Sequence, residues 1–328
     1  MRNAKIISSG MFVPERIIPN SYFDELLGEN VSDWLEENVQ IYERRWCSEN
    51  ESTADLCVNA ANEILNNASL KAEDLDLIII ATDTPEYISP STASIIQDKL
   101  GAINAGTFDL NSACSGFVNA LDVGAKYIQS DKNYTHVLVI GAYAMSKHLN
   151  KADKKTVTLF ADGASGVLLK ADESGAGMLA SKLRTKGQYH SWMGIYGGGT
   201  ANVTTDKSIK SNDHQLKFVR KFPKELNAEI WSAMIMDMCE SIDKSPKDID
   251  HYFITQININ SIKETLDILK IDMDKTTTIM HNYGYTGSAC IPMAFHNAIE
   301  NNKIKKGDLV LFIGSGGGLA FAGAIFKL

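Results

Sequence analysis

The strongest constraint in this chain is that it runs through one pattern twice. In the first half "EDLDLIIIATDT", "AGTFDLNSACSGFVNALDVG" and "THVLVIGA" follow in order; in the second, "KDIDHYFITQIN", "TTTIMHNYGYTGSACIPMAFHNAI" and "DLVLFIGSGGG" do the same. Each half offers strand, helix, strand, sharp turn, helix and strand, and "SGVLLKADE" and "GLAFAGAIFKL" supply a closing strand to each. A period this long means a duplicated subdomain rather than a solenoid of short repeats. Short β-branched runs alternating with amphipathic helical segments favour a layered α/β architecture. The spacing predicts strands over 76–81, 107–110, 135–141, 251–255, 276–280 and 309–314, with the halves dividing near 172–177 into 1–172 and 173–328.

With 44% hydrophobic and 22% charged residues, 328 residues are enough to bury one large core or two similar subdomains. The net charge of −8 argues against nucleic acid. The densest basic clusters, 151–155 and 303–306, are short and read as solvated faces. The start "MRNAKIISSGMFVP" reads as a strand entering a turn, without the long apolar run of a signal peptide, so the protein is expected to be cytoplasmic. The longest apolar run, "VLVIGAYAM", is less than half of what a spanning helix needs. Five scattered cysteines, Cys47, Cys57, Cys114, Cys239 and Cys290, fit neither a disulfide framework nor a zinc site.

Two of those cysteines share the tripeptide "SAC". Before Cys114 a strand runs into "NSACSGF" and then into a helix whose apolar positions, among them Phe117, Leu121 and Ile128, recur at helical spacing. That puts Cys114 at a helix N-terminus, where unpaired N–H groups and the helix dipole favour a thiolate and lower its pKa. The strand-turn-helix arrangement is like the elbow that exposes a nucleophile at the end of a sheet. Local context leaves open that Cys114 is a buried thiol packed under the turn.

"FDLNSACSGFVNAL" resembles the nucleophile motif of the β-ketoacyl-acyl-carrier-protein synthase III family of the thiolase superfamily. The likeness continues through "SDWLEENVQIYERRW", "ATDTPEYISPSTASIIQDKLG", "LFADGASGVLL", "YGYTGSACIP" and "GSGGGLAFAGAIF", in the family's order and over essentially the whole length. The resemblance implies a thiolase-like, five-layered αβαβα fold, internally duplicated, and a homodimer or a heterodimer with a related synthase. It implies that Cys114 accepts an acyl group from acyl-CoA or from the phosphopantetheine of an acyl carrier protein as co-substrate, with no permanently bound cofactor. Gly317, the second glycine of "GGG", would join the Cys114 N–H in an oxyanion hole, and Cys290 stands where the family usually has serine.

The family's histidine and asparagine are missing. Thr255 stands at the histidine position, followed by Gln256 and Asn258, and Tyr285 stands at the asparagine position. A hydroxyl can donate a hydrogen bond but cannot act as a base near neutral pH. Ordinary decarboxylative elongation is therefore not expected, and Tyr285 is a better candidate than His251 or His281 for restoring the chemistry, since its phenol can donate to an oxyanion. His251 and His281 are read as structural histidines. Asp83 aligns roughly with the glutamate that hydroxymethylglutaryl-CoA synthases use as acid and base, although those enzymes keep the histidine. Trp34 matches the tryptophan that stacks on the adenine of coenzyme A, whereas Asn38 replaces an arginine, a strong phosphate partner. Ser89 takes the position of a bulky aromatic that closes the acyl pocket from across the dimer, leaving room for a longer or branched chain. The glycine run 197–199 reads as a flexible turn.

The leading expectation is an acyltransferase of specialised or lipid metabolism that passes the acyl group to a second substrate without malonyl decarboxylation. Two alternatives stand beside it: a non-catalytic or half-active subunit of a synthase heterodimer, and a carbon–carbon condensing enzyme using a pre-activated acceptor.

Overall fold

The computed structural model describes residues 2–328. One five-stranded sheet is built from β1 (Asn3–Phe12), β2 (Leu77–Ala81), β3 (Gly106–Leu110), β4 (His136–Ala144) and β5 (Asp162–Asp172), in the order β1-β5-β4-β2-β3. A four-stranded sheet follows from β6 (Gly177–Thr185), β7 (His251–Ile254), β8 (Leu309–Gly316) and β9 (Ala320–Lys327), in the order β7-β8-β9-β6. The two repeat one plan. In each, parallel strands (β2 with β4, β7 with β8) continue into antiparallel ones (β5 and β1, β9 and β6).

Burial explains the layering. β2 reads "LIIIA" and is wholly buried, as a strand covered on both faces must be. Its alternate residues serve different layers: Ile78 and Ile80 pack with α1 (Thr53–Ala68) and α2 (Thr92–Leu100) on the outer face, whereas Leu77, Ile79 and Ala81 face inward. Between the sheets lie α3 (Gly116–Ser130) and α6 (Cys290–Glu300), each apolar on more than one side because each meets a sheet above and below. Beyond the second sheet lie α4 (Leu226–Glu240) and α5 (Ile259–Leu269). The sequence of layers is helix, sheet, helix, sheet, helix, a thiolase-like αβαβα fold.

The strand expected over 276–280 does not form. Its β-branched run favours a strand by propensity, but only Thr276 pairs, through a single parallel bridge to Tyr252. Beyond it, Gln256 donates to the Thr277 carbonyl and accepts from the Ile279 amide at 2.7 Å, and a short helix begins at Met280. Side-chain bonds thus take over backbone groups that a fifth strand would have used for its ladder. No helix among the described residues is long and apolar enough to cross a membrane.

Candidate active site

The carboxyl ends of β2, β3 and β4 converge where the sheet order reverses, the place where open parallel sheets bind ligands. β3 runs into a one-turn 3₁₀ helix, Ala113–Ser115, that leads directly into α3. Ala113 is held at φ 47°, a left-handed conformation that costs a non-glycine residue energy and turns the chain sharply enough to set Cys114 at the head of the helix. No side chain caps α3 at this end. The 3₁₀ turn does part of that work: the Gly116 amide donates to the Ala113 carbonyl and the Ser115 amide to the Ser112 carbonyl.

Cys114 and Tyr285 lie at a cavity of about 360 Å³ whose wall also includes Trp34, Asn258 and Gly317. Four of the expected site residues thus share a wall with Cys114, from four different parts of the chain. Tyr285 is fixed by its backbone, which donates to the Leu159 carbonyl at 2.9 Å and accepts from the Ala161 amide at 2.9 Å. Its ring, 1% exposed, packs between Phe160 and Tyr143.

The tight approach in the glycine turn belongs to Gly316. A Cβ there would fall on the Ser112 carbonyl oxygen and 2.7 Å from the Cys114 nitrogen, whereas one on Gly317 would meet nothing nearer than 3.4 Å. Gly316 brings the turn against the Cys114 amide, and the next N–H, that of Gly317, follows at the cavity wall. Gly316→Ala should therefore lose about 2 kcal/mol or more of stability and Gly317→Ala much less, read by denaturant unfolding.

Thr255 does not line the cavity. It is 1% exposed, its amide donates to Ile313 and its hydroxyl oxygen accepts from the Ser315 amide at 3.3 Å. Asn38 is exposed and folds back to donate to the Trp34 carbonyl at 3.1 Å. Asn258 caps α5, accepting from the Asn260 amide at 2.9 Å. Ser89 stands exposed on the loop after β2, beside the exposed Tyr87 and Ile88. The second "SAC" cysteine, Cys290, begins α6, is fully buried, and is pushed up to about 12 by that burial. His251 shares a hydrogen with Thr277 at 2.9 Å, and burial holds it down to about 4. His281 bonds with the Gln40 carbonyl and Thr278. Residues 197–199 form a plain turn bridged to Asn202.

The expected lowering of the Cys114 pKa is outweighed. Burial pushes the thiol well up, the neighbouring Asp83 charge adds to this, and the interaction with the Tyr285 phenol opposes both. Burial likewise keeps Tyr285 protonated, and the nearby Cys114 reinforces this, so the phenol is a donor. The resting site therefore holds a neutral thiol beside a neutral phenol.

Other residues at the site carry no motif. Met193 and Phe218, paired in a short two-stranded sheet, close one side of the cavity with Lys221 and Phe222, all from the segment 186–225. Lys154 and Lys155, expected as part of a solvated face, line an adjoining cavity of about 400 Å³ with Trp34 and Lys221. A helix-proximal lysine pair looks like surface in a sequence; only the fold of 186–225 over it makes it a wall.

Comparison with known proteins agrees with this geometry. Residues 108–187 match the family "3-Oxoacyl-[acyl-carrier-protein (ACP)] synthase III" and residues 239–328 match its C-terminal region. The chain is 36% identical over 335 residues to a β-ketoacyl-[acyl-carrier-protein] synthase III of Clostridium perfringens, each covered in full. It is 35% identical over 330 residues to the one of Natranaerobius thermophilus, again with full coverage of both. The crystal structure of 3-oxoacyl-[acyl-carrier-protein] synthase III from Aquifex aeolicus superposes with a TM-score of 0.89 at 30% identity, covering 99% of this chain and 100% of that one. The chain belongs to the β-ketoacyl-[acyl-carrier-protein] synthase III family of the thiolase superfamily.

Proposed function

We propose that the protein is an acyltransferase that forms an acyl thioester on Cys114 and passes the acyl group to a second substrate without decarboxylating a malonyl thioester. The observation that carries this reading is the cavity itself: it joins Cys114 to Gly317 and Tyr285, and among the described residues no histidine lines it. Acylation needs a sulfur nucleophile and donors for the tetrahedral oxyanion. An enolate formed as carbon dioxide leaves needs a further pair of positioned donors, and Thr255 has turned its hydroxyl to Ser315.

The acyl donor is a phosphopantetheine thioester, of coenzyme A or of an acyl carrier protein. Trp34 is 54% exposed at the cavity mouth, and Lys154, Lys155 and Lys221 beside it supply the positive charge that Asn38 does not. Flat aromatic and ammonium groups together suit a purine or a phosphate. The working form is a dimer joined along β3. This edge strand leaves Phe108 and Leu110 only half-buried, and Ile88 and Ile103 stand 85% and 72% exposed nearby. In that dimer the loop 87–91, with Ser89, reaches the partner's acyl pocket.

Protein loaded with an acyl group and mixed with alcohol, amine and stabilised-carbanion acceptors should lose the acyl mass to at least one of them. Release to malonyl-carrier protein alone would overturn the proposal. A chain that no acyl-CoA or acyl-carrier-protein thioester can load would instead be the non-catalytic subunit of a heterodimer.

A further inference from the structure

Trp34 divides two cavities. On one side lies the cavity of about 400 Å³ that adjoins the active site; on the other lies one of about 370 Å³, where Glu29, Asn30 and Val31 join the wall. Trp34, Lys154 and Lys155 face both. The second cavity therefore sets a carboxylate, that of Glu29, beside the same ring and the same lysines.

Glu29 spans the Lys154 ammonium with both of its oxygens, at 2.9 and 3.0 Å. Each partner stands on fixed backbone. The turn that carries Glu29 is pinned by Asp24, whose carboxylate accepts from the Val31 amide at 2.7 Å and from the Ser32 amide at 3.0 Å. Lys154 opens a helical turn, Lys154–Val157, that Asp153 caps, and its carbonyl accepts from the Thr158 hydroxyl at 2.8 Å. Only the two side chains are left to be ordered, which lessens the entropy cost that cancels most exposed ion pairs.

The chain around Trp34 has the same sign as Glu29. From 17 to 43 it holds seven acidic residues, among them Asp33, Glu36 and Glu37, and no lysine, arginine or histidine. A ligand that stacks on Trp34 thus meets an acidic segment and a lysine that is already paired. The two sources of a pantetheine thioester differ in how much this matters. Coenzyme A brings a diphosphate and a 3′-phosphate of about two negative charges, whereas an arm joined to a carrier protein brings a single phosphodiester.

We propose that Glu29 is a specificity residue that competes with the phosphates of coenzyme A for Lys154, so that the favoured acyl donor is the phosphopantetheine arm of a carrier protein. The inference rests on the phosphopantetheine-donor reading above. A phosphate that takes Lys154 must displace Glu29 and then lie near the freed carboxylate, a repulsive element that a donor without the nucleotide does not meet.

Coenzyme A titrated by calorimetry into Glu29→Gln should bind about fivefold more tightly than into wild type, the upper worth of an exposed ion pair. Salt at about 0.5 M should erase most of that gain, and pantetheine, which has no phosphate, should bind both forms alike. Competition makes a further demand. In a Lys154→Met background Glu29→Gln should change the affinity less than about twofold, because the two residues act as one unit. In single-turnover loading read by intact mass, wild type should half-saturate at a lower concentration of butyryl-carrier protein than of butyryl-CoA. Glu29→Gln should lower the half-saturating butyryl-CoA about fivefold and leave the maximal rate alone. An affinity for coenzyme A that is unchanged or weaker in Glu29→Gln overturns the role of Glu29. A gain that persists in Lys154→Met shows repulsion at a distance and overturns the competition. Wild type that half-saturates first with butyryl-CoA overturns the choice of donor. If coenzyme A binds neither form, Glu29 is not what excludes it and the proposal falls, while loading from the carrier protein would keep the donor reading. If neither thioester loads the protein, the acyl-enzyme reading fails by itself, and the calorimetry still decides the role of Glu29.

Discussion

Cys114→Ala should abolish covalent capture of an acyl group from a thioester donor, whereas Cys290→Ala should leave it intact. Both cysteines sit in "SAC" tripeptides at the start of central helices, so composition and helix position do not separate them. Access does. Cys114 reaches the cavity wall beside Gly317 and Tyr285, whereas Cys290 is fully buried and absent from that wall. The expected effect is all or none for Cys114 and less than about threefold for Cys290, since structural cysteines are inert. Tyr285→Phe should lie between them, slowing acylation about tenfold to a hundredfold by removing one donor. Intact-mass spectra after incubation with acyl-CoA or acyl-carrier protein measure all three. An acyl adduct that persists in Cys114→Ala would assign the nucleophile elsewhere.

The wild-type protein should condense malonyl thioesters at least about ten-thousandfold more slowly than it accepts its first acyl group, because two donors worth about a hundredfold each are replaced. Thr255 directs its hydroxyl to Ser315, and Tyr285 fills its position with a ring wedged between Phe160 and Tyr143. Thr255→His together with Tyr285→Asn should recover part of this rate. Full recovery is not expected, since removing the ring leaves a void between two aromatic neighbours. Turnover on the order of 1 s⁻¹ in the wild-type protein, ordinary for a competent enzyme, would show that another group carries out decarboxylation.

The repeat was legible in the sequence because each buried strand needs a continuous apolar run and each central helix an apolar surface on several sides, as β2 and α3 show. Cys114 was legible for a related reason: a strand, a tight turn and a helix can be read in order. What sequence could not show is which groups face inward. Thr255 follows a strand end and looks available until the Ser315 amide is found on its hydroxyl. The burial that raises the Cys114 pKa comes from layers folded over the turn, not from the turn itself. Gly316 and Gly317 are alike as letters, and only the approach of Ser112 and Cys114 tells them apart. The run 276–280 failed as a strand because Gln256, distant in sequence, supplies its hydrogen bonds. The cavity wall from 186–225 is built of a two-residue strand pair, a five-residue helix and turns, each too short to leave a period to read.

The cavity draws Trp34 and Cys114 from the first half of the duplication and Asn258, Tyr285 and Gly317 from the second. A molecule seated there touches both halves at once, and its binding free energy adds to their cohesion by mass action. Occupancy and integrity are thus thermodynamically linked. A molecule bound in the cavity would clamp together the two halves of a fold that carries an unsatisfied carboxylate oxygen and a left-handed alanine near its centre.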